Sequence, residues 1–347
     1  MQPYNGGNDP QRGGVYSTGH GFYNPYAEPE WKREKKRIRA AGNGIGLASV
    51  GYVAISFGAV LFLYAAIGVV NALRGGNFME VGENAQWVVT LITYILSLIV
   101  PFGIYALCIQ MPIGAAFPFR KMRGDITVGG IFVGLGAGIV ASYATSYLEQ
   151  ALGLFGIGIS MPELEIPTAL SAKIIYIITM TVAPAFIEEM VFRGIVMQSL
   201  RRFGDMFALV SSAIIFGIFH LNLIQTPYAF ILGLCIGYFV MRTGSLWVGV
   251  IMHFLNNSIA TVLTLAEPYC SEEMFLFINL AYSLAAVMCG IIALCLLLVK
   301  YRDMFHFGDA PGVLSSGKRA AYFLTSPALI IAMLTAVVLT AQYIEIL

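Results

Sequence analysis

Residues 184–194 read PAFIEEMVFRG, which places two glutamates and an arginine among Ile, Met, Val and Phe. The charged members are Glu188, Glu189 and Arg193, and the stretch lies inside a longer apolar run. An ionisable group at membrane depth costs about 2.5–3.5 kcal/mol on insertion scales, so three of them together require a structural or functional reason. The interpretation of this stretch depends on whether the run around it is a membrane helix.

The composition is that of a polytopic membrane protein. Hydrophobic residues make up 58% of the 347 residues and charged residues only 11%, with a mean hydropathy of +0.77. A helix needs about 20 apolar residues to cross the hydrocarbon core, and the pattern predicts an all-α transmembrane helix bundle of about nine spans. The fifth and sixth are short enough to be tilted or partly re-entrant. The predicted spans are 44–73, 86–109, 126–148, 171–200, 206–222, 227–241, 246–265, 274–299 and 321–344.

The chain is predicted to have a disordered polar and basic cytoplasmic tail, residues 1–43, followed by one transmembrane domain, residues 44–347. The leader lacks apolar periodicity, and the basic block WKREKKRIR (31–39) directly precedes the first apolar run. This block favours contact with anionic membrane lipids, and no nucleic-acid partner is expected. No cleavable signal peptide is visible, so we expect an uncleaved first span and a multi-pass protein of the cell (plasma) membrane.

Basic residues alternate between successive connections, as the positive-inside rule requires. The opposite connections are poor in Lys and Arg and carry glutamates instead. This alternation predicts a cytoplasmic N-terminus and an extracytoplasmic C-terminus. The base-rich connections are the leader, FRKMRG (119–124), the pair Arg201 and Arg202, the loop with Arg242, and the segment from Lys300 to Arg319.

Two of the four histidines, His220 and His253, fall in apolar spans, and Asn257 follows one helical turn after His253. At 1.5 Å per residue from the predicted cytoplasmic ends, Glu188, His220 and Asn257 lie about 16–21 Å deep, and His253 about 10 Å. Polar groups from three helices therefore reach similar levels, which predicts a shared polar cavity.

The residue types in this cavity are typical of hydrolysis. A buried glutamate can act as a general base for water, and imidazole can orient, protonate or bind a metal. Glu188, His220 and His253 also form the ligand set of many hydrolytic Zn²⁺ sites. The amide of Asn257 could donate to a developing oxyanion. Arg193 stands four residues after Glu189, so we expect it to compensate a carboxylate charge, and Phe216 is expected to pack.

Three motifs occur in order on successive apolar helices: EExxxR at 188–193, FxxxH at 216–220 and HxxxN at 253–257. Together they resemble the CPBP family of intramembrane proteases, the relatives of the CAAX prenyl endopeptidase and of bacteriocin-processing and self-immunity (Abi) proteins. The motif core covers residues 183–257, and the rest of the chain is similar only in hydrophobicity.

The resemblance implies a role for each motif residue. Glu188 would activate the attacking water, His220 and His253 would position that water or a metal, and Asn257 would stabilise the oxyanion. Glu189 and Arg193 would support the site. The family is often described as metalloproteases, yet a glutamate-activated water without zinc is also argued for it. No HExxH pair decides between Zn²⁺ and metal-free catalysis in this sequence.

The leading functional hypothesis is an intramembrane endopeptidase that cleaves a membrane-associated peptide or protein, either a prenylated CAAX-type or a bacteriocin-like substrate. The first alternative is a non-catalytic membrane scaffold or peptide-binding immunity protein that uses the same polar pocket. A transporter is the second, because membrane carboxylates and histidines also form proton relays. The sequence shows no pair of broken helices in matching halves, which argues against the transporter.

Overall fold

The computed structural model describes residues 28–160, 165–307 and 312–346. The predicted disorder of residues 1–27 lies outside these ranges. In the described part the protein is a helix bundle with one small two-stranded sheet, which confirms the predicted all-α membrane architecture. The elements are α1 (Glu30–Leu73), α2 (Glu83–Cys108), α3 (Ile113–Ala116), α4 (Gly124–Gly153), β1 (Ile157–Ile159), α5 (Leu170–Phe203), α6 (Asp205–Ile218), α7 (Gln225–Thr243), α8 (Leu246–Ala266), α9 (Glu272–Lys300), α10 (Ser316–Leu324), α11 (Pro327–Ala341) and β2 (Ile344–Ile346).

The number of full spans differs from the nine predicted. Within the described ranges, seven helices are long and apolar enough to cross a membrane, or eight if α10 and α11 together form one span. The predicted fifth span is α6, which has only 14 residues. At 1.5 Å per residue it is about 21 Å long, shorter than the hydrocarbon core of about 30 Å.

Helix α1 begins well before the predicted first span. It runs from Glu30, so residues 30–43, predicted as part of a disordered tail, are helical. The charged block 31–39 contains good helix formers, and its α-helix continues directly into the apolar stretch. The prediction of disorder for residues 30–43 was wrong because it relied on the absence of apolar periodicity. Apolar periodicity reveals only the part of a helix that is buried, and a helix can extend beyond that part into solvent.

The predicted last span, 321–344, is broken. Helices α10 and α11 meet at an angle of 67°. Pro327 is the first residue of α11, and a proline disfavours helical geometry in the residue before it, here Ser326. The sequence TSP (325–327) carries this stop signal, but the apolar run around it conceals the break.

Helices α6 and α7 form a short antiparallel hairpin whose turn, residues 219–224, lies inside the bundle. Asn222 is 4% exposed, and its side-chain oxygen accepts hydrogen bonds from the backbone N–H groups of Ile224 (2.8 Å) and Gln225 (3.2 Å). Irregular backbone at membrane depth is tolerated only where its polar groups are satisfied by protein. Asn222 therefore allows the chain to turn back before it crosses the whole bundle.

All five base-rich connections meet at one end of the bundle. Arg319 pairs with Glu34 of α1 at 2.7 Å and donates to the carbonyl of Phe203, where α5 ends, at 2.9 Å. Lys300 pairs with Asp125 at the start of α4 at 2.6 Å. These contacts agree with the predicted alternation of the connections. The loop after α7 joins the same network through the Ser245 hydroxyl, which donates to the carbonyl of Arg120 at 2.7 Å.

The opposite end is closed by two other contacts. Glu83, the first residue of α2, accepts from the hydroxyl of Thr168 at 2.8 Å and from the backbone N–H of Ala169 at 2.9 Å. Strands β1 and β2 pair antiparallel, with Ile157 opposite Ile346. The β2 segment near the C-terminus thus lies at the end of the bundle away from Glu34. The predicted placement of the N-terminus in the cytoplasm and of the C-terminus outside it stays a prediction.

The helices differ in how much of their surface is buried inside the bundle. In α7, 44% of the most apolar 18-residue window is buried inside the protein, against 6% in α1 and 22% in α9. Much of α1 and α9 therefore faces outward, towards lipid. Helix α9 packs on α4 through glycines, because a Cβ at Gly136 would lie 3.3 Å from the Cα of Gly290. Of the long helices that carry motifs, α5 has 39% and α8 33% of this window buried, which is similar to the 39% of α2 and α4.

Candidate active site

The helix that carries EExxxR is not a regular α-helix. Helix α5 contains two π-helical stretches, Ile178–Val182 and Glu189–Val196, on either side of Pro184. Proline lacks the N–H that a regular turn needs, and its ring crowds the preceding turn. π-Helical turns inside α-helices are rare and often mark functional sites. In this protein Glu188 lies between the two stretches, and Glu189 is the first residue of the second.

Two backbone carbonyls of the second π-helical stretch also accept hydrogen bonds from side chains. The carbonyl of Phe192 accepts from the hydroxyl of Ser212 at 2.8 Å. The carbonyl of Arg193 accepts from the side-chain amide of Gln198 at 3.2 Å. Because an unsatisfied backbone group is costly in this environment, these bonds stabilise the irregular helix beside the site.

Glu189 is fully buried and is held by two partners. Its Oε1 lies 2.8 Å from Arg193 Nη1 on the next turn and 3.0 Å from His253 Nδ1 on α8. The side chains of Glu189 and Arg193 are 0% and 1% exposed. Since an ionised carboxylate only accepts, His253 donates through Nδ1, and its Nε2 points away from Glu189. The predicted salt bridge is confirmed, and Glu189 also orients an imidazole.

Phe216 lies at the centre of this charged cluster. The guanidinium of Arg193 is 4.1 Å from the centre of the Phe216 ring. The same ring meets the imidazoles of His220 and His253 edge to face, at centroid distances of 5.0 and 6.0 Å. A cation over an aromatic face and edge-to-face ring pairs are both favourable. Phe216 therefore packs, as predicted, and sets the positions of three site residues.

Glu188 is the glutamate that lines a cavity, and its side chain is 14% exposed. Its Oε1 accepts from the hydroxyl of Tyr94 on α2 at 2.6 Å. Its Oε2 has no hydrogen-bond partner among the described residues and lies 3.9 Å from His253 Nε2. The two neighbouring glutamates thus differ in their surroundings: Glu189 is fully buried against Arg193 and His253, while Glu188 lines a cavity. The Oε2 atom of Glu189 also has no hydrogen-bond partner among the described residues.

His220 follows the last turn of α6 and borders the same space. Its Nδ1 lies 2.9 Å from the carbonyl of Phe216, and because a carbonyl only accepts, Nδ1 is the donor. The Nε2 is then a hydrogen-bond acceptor in the neutral ring. His220 and Glu188 line one cavity of about 190 Å³, whose other walls are Tyr52, Tyr94, Leu98, Phe192 and Phe219.

Helix α8 approaches α5 closely at Gly249, one turn before His253. A Cβ at Gly249 would lie 2.7 Å from Glu189 Oε2 and 2.8 Å from a methyl group of Val240. Contacts under 3.0 Å force neighbours to move, so only glycine allows this approach. The close packing is what brings the His253 ring to the carboxylates.

Asn257 is half-buried on α8, one turn beyond His253. Its side-chain oxygen accepts from the amide of Asn256 at 3.4 Å, and Asn256 in turn accepts from the hydroxyl of Tyr228 at 3.0 Å. No hydrogen bond joins Asn257 to Glu188, His220 or His253 in the described part of the chain. Four of the motif residues, Glu188, Glu189, Arg193 and His253, are therefore in direct contact, while Asn257 belongs to a neighbouring polar group.

The expected zinc ligands do not form a metal-holding group in this structure. Among the described residues, no three side chains of His, Cys, Asp or Glu are arranged to hold a metal ion together. His253 Nδ1 is bonded to Glu189, and His220 Nδ1 to Phe216. Only one nitrogen of each ring is left, and Oε1 of Glu188 is occupied by Tyr94.

Tyr94 and Tyr52 are site residues that the sequence did not identify. Both lie on helices outside the motif core, on α2 and α1, and each is one of 18 tyrosines in the chain. A tyrosine in an apolar span is common, since its ring is largely apolar. The one feature that could have indicated a role for them is a hydroxyl group inside an apolar span. No sequence spacing, however, connects either tyrosine to Glu188.

The fold and this cluster define a class: a multi-pass membrane protein with Glu188, Glu189, Arg193 and His253 in contact inside its helix bundle, beside a cavity lined by Glu188 and His220. Residues 170–259, from the start of α5 into α8, match the family model described as Rce1-like, type II CAAX prenyl endopeptidase. Searches of curated proteins and of solved structures found no significant match. The resemblance to the CPBP and CAAX protease family is confirmed, and the motif helices carry the matching domain.

Proposed function

We propose that this protein is an intramembrane endopeptidase that hydrolyses a peptide bond of a membrane-associated substrate, with Glu188 as the general base. The observation that carries the proposal is the difference between the two carboxylate oxygens of Glu188. One of its oxygens is held by Tyr94 at 2.6 Å, and the other has no hydrogen-bond partner among the described residues and lies 3.9 Å from His253 Nε2. A water molecule that bridges Oε2 of Glu188 and Nε2 of His253 would donate one hydrogen bond to each of them.

In the proposed reaction, Oε2 of Glu188 takes a proton from this water while the water oxygen attacks the carbonyl carbon of the peptide. A carbon–oxygen bond forms, and the carbonyl electron pair moves onto its oxygen. The proton then passes to the leaving nitrogen, the carbon–nitrogen bond breaks, and a carboxylic acid and an amine result. General acid–base catalysis of this kind contributes about 10²–10⁴-fold in rate.

The surrounding residues prepare these steps. Glu189 accepts from His253 Nδ1 at 3.0 Å and thereby directs Nε2 towards Glu188. Arg193 lies 2.8 Å from Glu189 and compensates its charge. His220 supplies a second ring nitrogen at the cavity wall.

Asn257 is proposed as the oxyanion donor. Its amide nitrogen makes no hydrogen bond to a described residue, and it lies one turn along α8 from His253. The preorganised donors of an oxyanion hole lie about 2.7–3.1 Å from the position of the charged oxygen. A substrate bound against α8 would bring its carbonyl to this amide.

The substrate class follows from the cavity and the membrane. The cavity lies inside the bundle and is walled mainly by aromatic rings, so a peptide must reach it from the bilayer or its surface. A prenylated CAAX-type peptide is the substrate that the family match favours. A bacteriocin-like leader is the other candidate from the sequence.

The proposal is tested with the purified chain in lipid nanodiscs. A farnesylated CAAX-type peptide, its unprenylated counterpart and a bacteriocin-leader peptide are incubated with the protein, and products are identified by mass spectrometry. Cleavage of any of them that disappears in His253→Ala supports an endopeptidase. Capture of the peptides without cleavage would instead support the non-catalytic alternative. A chelator arm, with Zn²⁺ added back, tests metal dependence separately.

A further inference from the structure

A second polar cavity lies far from Glu188, at the base-rich end of the bundle. It has a volume of about 310 Å³ and is formed where the first turns of α1 meet the connection between α5 and α6. Its lining is strongly charged, unlike that of the catalytic cavity. The lining residues are Glu30, Arg33, Glu34, Arg37, Arg202, Phe203 and Gly312.

Three arginines face this cavity from two separate elements. Arg33 and Arg37 stand one helical turn apart on α1, and Arg202 belongs to the last turn of α5. All three are exposed at the surface. Among the residues that the structure describes, none of them has a carboxylate within ion-pair distance, although the guanidinium of Arg202 lies over the ring of Phe203 at 4.9 Å. Three cations are therefore open to a ligand.

The acidic residues of the cavity do not cancel this charge. Glu34 is bound by Arg319 at 2.7 Å, and its second oxygen accepts from the backbone N–H groups of Val313 and Leu314 at 2.9 and 3.0 Å. Glu34 is thus already neutralised by an arginine outside the lining. Only the carboxylate of Glu30 opposes the three arginines, and the cavity keeps an excess of positive charge.

We propose that this cavity binds the phosphate group of an anionic membrane phospholipid. Guanidinium groups match phosphate oxygens with paired hydrogen bonds, and several of them around one cavity favour a doubly coordinated phosphate over a diffuse counter-ion. Two of the three arginines belong to the basic block 31–39, which precedes the apolar stretch of α1. Basic residues next to a membrane span attract anionic lipid head groups. A free phosphate ion offers the same chemistry, and the experiment separates the two sources.

A bound head group would connect two parts of the protein. It would tie the start of α1 to the end of α5, and these helices carry Tyr52 and Glu188 of the catalytic cavity. The inference does not depend on the proposed proteolysis, because it concerns binding and stability alone.

The experiment measures binding to the full chain in micelles of an uncharged detergent. Phosphatidylglycerol is titrated in, and its dissociation constant is compared with those of phosphatidylcholine, glycerol 3-phosphate and inorganic phosphate. The site variant is Arg33→Gln/Arg37→Gln/Arg202→Gln. The charge-matched control is Lys32→Gln/Lys36→Gln/Lys121→Gln, which removes three exposed lysines outside the cavity. Thermal unfolding without lipid checks that both variants fold, and Arg202→Gln alone serves if the triple site variant does not.

Generic attraction of a basic surface contributes about 1 kcal/mol per cation, or about fivefold in affinity, wherever the cation stands. We expect the site variant to bind phosphatidylglycerol at least about tenfold more weakly than the control variant. Equal weakening in both variants would overturn the proposal in favour of diffuse attraction. Equally tight binding of inorganic phosphate would overturn the lipid assignment.

Discussion

Removing Arg193 should destabilise the protein far more than removing an exposed arginine on the same helix. Arg193 and Glu189 are almost completely buried, with a nitrogen–oxygen distance of 2.8 Å. Removing one partner of a buried pair strands the other charge and typically costs about 3–5 kcal/mol. Arg193→Met keeps an unbranched, apolar side chain in the space beside Phe216. We therefore expect this variant to lose about 3–5 kcal/mol of unfolding free energy.

The assay is equilibrium unfolding in mixed micelles, followed by circular dichroism. Arg201→Met is the matched control, because Arg201 also pairs with an acidic residue four positions on, Asp205, but both are more than a third exposed. Exposed pairs of this spacing contribute about 0.3–0.5 kcal/mol. Loss of its ion pair should therefore lower the unfolding free energy of Arg201→Met by no more than about 0.5 kcal/mol.

The double variant Glu189→Gln/Arg193→Met tests the reason for the loss. Without the carboxylate, no unpaired charge is left, so the double variant should be more stable than the sum of the single losses implies, by about 2–3 kcal/mol. Strict additivity, or a loss below about 1 kcal/mol for Arg193→Met, would refute the account of a buried, mutually compensating pair.

Two further predictions concern contacts that the motifs do not contain. Tyr94→Phe removes the hydrogen bond to Glu188 and should lower the peptidase rate about 10–100-fold, because a hydrogen bond to a charged group contributes about 1.5–3 kcal/mol. The control variant Tyr105→Phe, on the same helix, should leave the rate nearly unchanged. Equal rates for the two variants would contradict the role of Tyr94. Gly249→Ala should cost about 1–3 kcal/mol of unfolding free energy because its Cβ has no room. The control is Gly58→Ala, because a Cβ at Gly58 would meet nothing within 4 Å. This variant should be neutral or gain up to about 1 kcal/mol of unfolding free energy. A similar change in unfolding free energy at both glycines would contradict the close approach of α8.

The local contacts of the site were predictable because charge in an apolar helix must find a partner nearby. The i,i+4 spacing of Glu189 and Arg193 predicts their salt bridge from helical geometry alone. The shared depth of Glu188 and His220 follows equally from helix length and the alternation of basic connections. These inferences need only the rise of a helix and the cost of an unpaired charge.

Contacts between distant helices were not predictable in the same way. Which side of α2 faces Glu188 depends on the rotation of that helix in the bundle, and hydropathy does not distinguish a lipid-facing Tyr94 from a buried one. The hydrogen bond between His253 and Glu189 was not predictable either, because it depends on the close approach of α8 to α5 at Gly249. The break before Pro327 was concealed because the residues around it are uniformly apolar.

The most direct test of the central claim is the peptidase rate of Glu188→Gln, compared with Glu149→Gln, which changes an exposed glutamate at the far end of α4. Glutamine keeps the size of the side chain but cannot take a proton from water. We predict a loss of about 10²–10⁴-fold for Glu188→Gln with unchanged folding, and no loss for the control. A folded Glu188→Gln variant that cleaves peptide at the wild-type rate would contradict the account.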